Sequence, residues 1–149
     1  MVGHIHLGNE LIFDTLISRF QRADRDLRLD TLLAYAGKLR ELPPTLHNAI
    51  DRERHRVSEC QTPVFLWIGV EDGVVTFHAD VPRESPTVRG YVSLLQSRIE
   101  GANPADVGEI PDDLLERLGL TAALGMTRTQ GLTAILGRIK RAVASAREG

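Results

Sequence analysis

The sequence contains a single cysteine, Cys60, whose thiol is the side chain best suited to nucleophilic chemistry. A thiolate attacks sulfur and other electrophiles well, whereas a neutral thiol does not, and an unperturbed cysteine has a pKa of about 8.5. Arg54, His55 and Arg56 lie close in sequence and favour the thiolate, while the adjacent Glu59 opposes it. These residues indicate a reactive thiol, and the alternative interpretation is a small buried hydrophobe.

A lone cysteine excludes several kinds of site. It cannot form a disulfide within the chain, and without a second thiol nearby it cannot build a zinc or iron-sulfur site. His4 and His6 do not make a closed metal site, and we expect residues 1–8 to be disordered. A Cys-His protease would need a positioned histidine and an oxyanion hole, and no familiar nucleophile signature surrounds Cys60.

The composition is that of one ordinary globular domain. The 149 residues suit a single domain spanning 1–149, with 42% hydrophobic and 26% charged residues. The longest apolar run, 64–70, is far shorter than the ~20 residues that cross a bilayer, and no secretory signal is visible, so we expect a cytoplasmic protein without a membrane span. A net charge of -2, few aromatic residues and no Walker-type loop argue against nucleic-acid and nucleotide binding.

The chain before Cys60 is predicted to contain two helices and a loop. Apolar spacing predicts a first helix from about Asn9 to Gln21, capped by Asn9, and a second helix that ends before Pro43. From 45 to 61 no period is sustained, so we expect a loop that carries the thiol. The second helix is marked by Leu29, Leu32, Leu33, Ala36 and Leu39.

The chain after Cys60 begins with a β-hairpin. Strands over 64–70 and 74–78 are joined through Asp72 and Gly73, which supply the positive φ angles of a tight turn, and the second strand ends at Asp80. Helical spacing resumes over Val88–Ile99, in a helix that we expect to lie on the sheet. The thiol is therefore placed on a loop held by a rigid hairpin.

Further helices complete the predicted fold. Asn103 and Pro104 suit an N-cap and a first helical position, and a short helix after Pro111 ends at Gly119. A final helix carries an apolar stripe and four cations that complement the helix dipole at its C-terminal end. The stripe is Leu132, Ile135, Leu136, Ile139 and Val143, and the cations are Arg138, Lys140, Arg141 and Arg147. Strand signals do not alternate with helices, so we predict an α+β fold with helices packed on a small antiparallel sheet.

The segment Glu59-Cys60-Gln61-Thr62-Pro63, followed by the apolar strand 64–68, resembles the cysteine-loop signature of the SufE family. The resemblance extends from about Leu11 to Arg141, and the order and spacing of its motifs make it specific. These motifs are Leu42-Pro43-Pro44, Ala79-Asp80, Val88-Arg89-Gly90, Asn103-Pro104-Ala105-Asp106, Leu118-Gly119-Leu120 and Arg128-Thr129-Gln130-Gly131-Leu132.

SufE proteins are sulfur acceptors, and the resemblance implies that Cys60 takes the outer sulfur of a persulfide from a SufS-like cysteine desulfurase, which the chain stimulates. It implies relay of that sulfur to iron-sulfur cluster assembly on a scaffold complex of the SufBCD type. The chain would be an accessory protein and not an enzyme, without a cofactor of its own, because the pyridoxal phosphate (PLP) belongs to the desulfurase. The resemblance also implies a SufE-like fold related to that of IscU-type scaffold proteins.

Five further residues are candidates for supporting the cysteine or binding the partner. Gln61, Asp80, Arg89 and Arg128 match family positions. Gln61 also suits a simple turn, Asp80 a strand end, and the two arginines surface ion pairs. Glu59 departs from the glycine that SufE sequences commonly have there, and it adds a negative charge beside the thiol.

Two other functions are alternatives to sulfur transfer. One is an interaction module that binds a desulfurase and alters its activity, for which Cys60→Ser would act unchanged. The other is a redox enzyme that reduces peroxide through a sulfenic acid at Cys60, with an external thiol resolving it.

Overall fold

A computed structural model describes residues 12–48 and 50–148. In this part of the chain, β1 (Phe65–Glu71) and β2 (Val74–Asp80) pair as a two-stranded antiparallel sheet. Asp72 and Gly73 form the connecting turn with φ values of 54° and 81°, the left-handed conformation that a tight hairpin turn uses. The predicted hairpin is confirmed.

Two helices lead into the region of the cysteine. α1 (Asp14–Arg22) buries Leu16 and Phe20, and α2 (Arg25–Ala36) is capped by the carboxylate of Asp24. The predicted cap Asn9 lies outside the described residues, and within them the first helix begins at Asp14. Leu39, which the apolar pattern includes in the second helix, lies beyond its end and is buried in the core.

The segment between α2 and β1 is more regular than its aperiodic sequence indicates. α3 (Pro44–His47) begins at a proline, whose fixed φ suits the first helical position, and a 3-10 helix spans Arg52–His55. The prediction of a loop over 45–61 is wrong at these two turns, because a single helical turn is too short to show an apolar period. The chain is irregular around Cys60 itself.

α4 (Pro86–Ile99) packs against both α2 and β2 and lies on the sheet as predicted. Tyr91 and Leu95 are among its fully buried side chains. Gly90 of α4 lies directly against the backbone of α2, where a Cβ atom would overlap the carbonyl oxygen of Leu32. The close approach of the two helices therefore depends on a residue without a side chain.

Four more helices follow within the described residues: α5 (Pro104–Gly108), α6 (Leu114–Arg117), α7 (Thr121–Leu124) and α8 (Met126–Glu148). Asn103 caps α5 through a hydrogen bond from the N–H of Ala105, and Gly119 follows α6 with a φ of 72°, as the sequence predicts. The whole predicted stripe of α8 is buried, and this helix packs along β1. The fold is α+β, with helices packed on a small antiparallel sheet.

Candidate functional site

Cys60 lies on a loop whose two ends are paired with each other. The N–H of Val57 donates to the carbonyl oxygen of Val64 at 2.9 Å, and the N–H of Cys60 donates to the carbonyl oxygen of Val57 at 3.2 Å. Val57 and Val64 are fully buried. We denote residues 57–64 the cysteine loop and residues 58–63 its tip, because the paired valines anchor the loop and leave the tip between them.

Arg138 of α8 fixes the chain immediately before this loop. Its guanidinium donates to the carbonyl oxygen of Arg56 at 2.8 Å and to that of Arg54 at 2.7 Å. Hydrogen bonds from a charged donor are stronger than those between neutral groups, so the base of the loop is held firmly to α8.

The cations of α8 have different roles from the ones predicted. Arg147 lies in the last turn, where it complements the helix dipole. Arg138 and Lys140 lie well before that turn, and Lys140 donates to the carbonyl oxygen of Ile110 and pairs with Asp112. The dipole prediction is therefore confirmed for Arg147 alone, since Arg141 also precedes the last turn, and Arg138 and Lys140 instead hold neighbouring segments onto the helix.

The thiol of Cys60 is packed against the backbone of α8. The residue is 7% exposed, and a Cβ atom built on Gly131 would stand 3.4 Å from its Sγ. Beside the thiol, a cleft of about 500 Å³ opens between the loop tip and the start of α8. Cys60 is thus largely buried and yet lines this cleft.

Burial raises the pKa of the Cys60 thiol, although a hydrogen bond from the backbone of Thr62 and the positive charge of Arg56 act in the opposite direction. The neutral thiol is favoured in this position, because a thiolate loses its hydration when it is buried. In this buried position the thiol is therefore a weaker nucleophile than an exposed cysteine would be.

Arg56 is the one cation of the run Arg54, His55 and Arg56 that lowers the thiol pKa. The ring of His55 stacks on Trp67 with centroids 5.1 Å apart, and its Nδ1 lies 2.9 Å from the carbonyl oxygen of Leu66. The contacts of the His55 ring are therefore with β1. The prediction that all three cations act on the thiol is correct only for Arg56.

The five predicted supporting residues fall into two groups. Glu59, Gln61 and Arg128 are exposed and line the cleft beside Cys60. Asp80 and Arg89 line a second cleft of about 530 Å³, to which Cys60 does not contribute. The structure therefore brings three of the five together with the thiol.

Asp80 and Arg89 have structural partners at the second cleft. Asp80 forms a 2.6 Å ion pair with Arg52 of the 3-10 helix, so it acts on the segment that precedes the cysteine loop. Arg89 donates to the carbonyl oxygens of Ala36 at 3.0 Å and Val81 at 2.6 Å, which ties the end of α2 to the segment after β2.

Three residues of the site were missed by sequence reasoning. Gly131 forms the surface under the thiol, Arg138 holds the loop base, and Met126 is 77% exposed at the edge of the cleft. Gly131 and Arg138 are about two helical turns apart and so share one face of α8. That spacing was visible in the sequence, but its meaning depends on the cysteine loop lying across this face.

Neither a metal centre nor a membrane span is found among the described residues. No group of three or more His, Cys, Asp or Glu side chains there could hold a metal ion. In residues 12–48 and 50–148, no helix is both long and apolar enough to cross a bilayer. His4 and His6, together with the predicted disorder of 1–8, lie outside the described residues.

Fold and site together define a class of small α+β proteins in which one buried thiol lies on a tethered loop before a hairpin. The SufE family, described as an Fe-S metabolism associated domain, matches residues 14–143. An uncharacterized SufE-like protein of Mycobacterium tuberculosis is 35% identical over 127 residues, which cover 85% of this chain and 87% of the relative. The chain belongs to the SufE family.

Two further comparisons agree with this membership. The sulfur acceptor protein CsdE of Escherichia coli is 32% identical over 94 residues, which cover 62% of this chain and 63% of CsdE. The solution structure of a hypothetical protein from Thermus thermophilus superimposes with a TM-score of 0.79 at 33% identity, covering 93% of this chain and 97% of that one.

Proposed function

We propose that this chain is a sulfur acceptor that takes sulfane sulfur from a SufS-like cysteine desulfurase onto Cys60. Membership in the SufE family and the similarity to the sulfur acceptor CsdE support this role. The observation that carries the assignment to Cys60 is its position, because the only thiol of the chain lies on a tethered loop beside an open cleft.

Loading of Cys60 is an exchange at sulfur. The Cys60 thiolate attacks the outer sulfur of a persulfide on the desulfurase, a new bond from Sγ to that sulfur forms, and the donor thiolate leaves as the old sulfur-sulfur bond breaks. The thiol proton passes to solvent, and neither oxidant nor reductant is consumed. The chain stimulates the desulfurase because it clears the persulfide that blocks the next turnover.

Unloading uses the same chemistry with a different acceptor. A thiolate on a scaffold complex of the SufBCD type attacks the outer sulfur of the Cys60 persulfide, and the Cys60 thiolate leaves. Sulfur is thereby relayed to iron-sulfur cluster assembly. In this scheme the chain is an accessory protein without a cofactor of its own, since the PLP chemistry takes place on the desulfurase.

The seated thiol has to leave its position on α8 before it can react. In the seated position, burial raises the thiol pKa and shields Sγ from solvent, which slows both attack and oxidation. Displacement of the loop tip removes the desolvation and presents Sγ to the donor. Transfer therefore takes place from the form in which the tip is displaced.

The rim of the cleft is the surface that we assign to the desulfurase. Glu59, Gln61 and Arg128 supply polar and charged groups there, and the exposed Met126 supplies apolar area. Aromatic, Met and Arg side chains are enriched in the buried cores of protein interfaces. Asp80 and Arg89 contribute from a distance, because they hold the segments that flank the loop and the hairpin.

Mass spectrometry after incubation with a PLP-dependent cysteine desulfurase and free cysteine tests the proposal. We expect the mass of one sulfur atom to be added at Cys60, and we expect Cys60→Ser to fold normally and to remain unloaded. Absence of the adduct under conditions that load CsdE would overturn the proposal. A Cys60→Ser protein that still stimulates the desulfurase fully would instead identify an interaction module that transfers no sulfur.

A further inference from the structure

Gly131 lies at the point where the cysteine loop meets α8. A Cβ atom added there would stand 3.4 Å from Sγ of Cys60, 3.6 Å from its Cα and 3.8 Å from its Cβ. All three neighbours belong to Cys60, so a side chain at 131 would push on this one residue. Gly131 is itself buried under the loop.

The two ends of the cysteine loop are fixed independently of Gly131. Val57 and Val64 are paired and buried, and Arg138 binds the carbonyl groups of Arg54 and Arg56, just before Val57. Between these anchors, Glu59 and Gln61 on either side of Cys60 are exposed. A push from position 131 would therefore displace the tip without unfolding the base of the loop.

We propose that Gly131 is a positioning residue whose missing side chain lets the cysteine loop adopt its closed position, in which the thiol packs on α8. An alanine Cβ just reaches van der Waals contact with Cys60, whereas the methyl groups of a valine extend into the space that Cys60 occupies. The closed position is therefore disfavoured by side chains at 131 that extend beyond Cβ. The consequence for sulfur loading rests on the proposed function, but the effect on thiol exposure does not.

The same helix offers a matched control in Gly137. A Cβ atom there would meet Nη1 of Arg141 at 3.3 Å, which is the far end of a flexible side chain that can move aside. Substitutions at 131 and 137 change helix propensity in the same way, since both residues lie inside α8. Only position 131 contacts Cys60.

The test is the rate at which iodoacetamide alkylates Cys60, measured across a range of pH on the whole chain. Overpacking of the closed form should make Gly131→Val react about tenfold faster than Gly137→Val, whereas Gly131→Ala, whose Cβ stands at contact distance, should react about as fast as Gly137→Ala. The reagent consumes thiolate, and burial raises the thiol pKa in the closed form. The rise in rate for Gly131→Val should therefore begin at lower pH than in the unmodified chain.

Equal rates and equal pH profiles for Gly131→Val and Gly137→Val would overturn the inference. If Gly131→Val does not fold, the comparison of Gly131→Ser with Gly137→Ser decides in the same way, because the serine Oγ extends beyond the alanine Cβ. The desulfurase assay separates this inference from the proposed function. If the chain is never loaded with sulfur, yet its Cys60 is alkylated faster when residue 131 is enlarged, only the proposed function is refuted. If the chain is loaded, but the alkylation rate does not depend on residue 131, only the inference is refuted.

Discussion

Gly90 and Gly131 are both helical glycines that allow a close approach, but what approaches them is different. At Gly90 of α4 the neighbour is the backbone of α2, which packs against α4 and buries Leu32 in the core. At Gly131 of α8 the neighbour is Cys60, on a loop tip whose flanking residues Val57 and Val64 are paired with each other. The first contact joins two core helices, whereas the second joins a helix to a loop residue with exposed neighbours on both sides.

In the proposed scheme, this difference lets one small protein both protect and deliver a thiol. The rigid contact between α2 and α4 belongs to the core, where packing is dense and each displacement is felt by many neighbours. The cysteine loop contributes Val57, Cys60 and Val64 to this core, whereas Ser58, Glu59, Gln61 and Pro63 of its tip are exposed. Segments that move in function come from the less stable parts of a fold.

Gly90→Ala should have the largest effect on stability. Its Cβ atom would overlap the carbonyl oxygen of Leu32, so α2 and α4 must separate, at a cost of about 3 kcal/mol in the free energy of unfolding. Urea or thermal denaturation measures the loss, and Gly137→Ala is the control, expected to be unchanged or slightly more stable. A Gly90→Ala protein as stable as the control would show that the contact between these helices is as adaptable as the loop.

Arg138→Met should have a smaller effect on stability and a visible one on the thiol. It removes two charge-assisted hydrogen bonds to the base of the cysteine loop, which contribute about 2 kcal/mol together in a partly exposed position. Alkylation of Cys60 should become several-fold faster, since the anchors of the tip loosen.

Arg141→Met is the matched control for the loop base. Arg141 is exposed on the same helix, and within the described residues it donates no hydrogen bond to the cysteine loop. If both substitutions change the alkylation rate equally, the effect comes from the charge of α8 and not from the anchoring of the loop.

The sequence predicted the hairpin and the long helices well because their signals are local. Asp72 and Gly73 identify the turn, and the stripe from Leu132 to Val143 identifies the buried face of α8. Cys60 could also be identified as the candidate thiol, because it is the only cysteine in the sequence and has a recognisable flanking motif. These features depend on residues that are near one another along the chain.

The parts that the sequence did not predict depend on contacts between distant segments. Nothing beside Arg138 in sequence indicates that it binds the carbonyl groups of Arg54 and Arg56, and nothing beside Gly131 indicates a thiol above it. The direction of the pKa shift of Cys60 also depends on contacts between distant segments. The nearby cations and Glu59 act in opposite directions and left the balance open in the sequence, whereas desolvation in the folded chain raises the pKa.

Whether the contact between Cys60 and Gly131 can open in the folded chain is tested most directly by alkylation of Cys60 in low, non-denaturing concentrations of urea. Opening of a six-residue tip exposes little surface. We therefore predict that the alkylation rate hardly changes at low urea concentrations and rises steeply only near the unfolding transition. A rate that rises from the lowest concentrations with the full slope of global unfolding would contradict this. Cys60 would then react only in the unfolded chain, and a thiol sealed in that way could not accept sulfur from a partner by displacement of the tip.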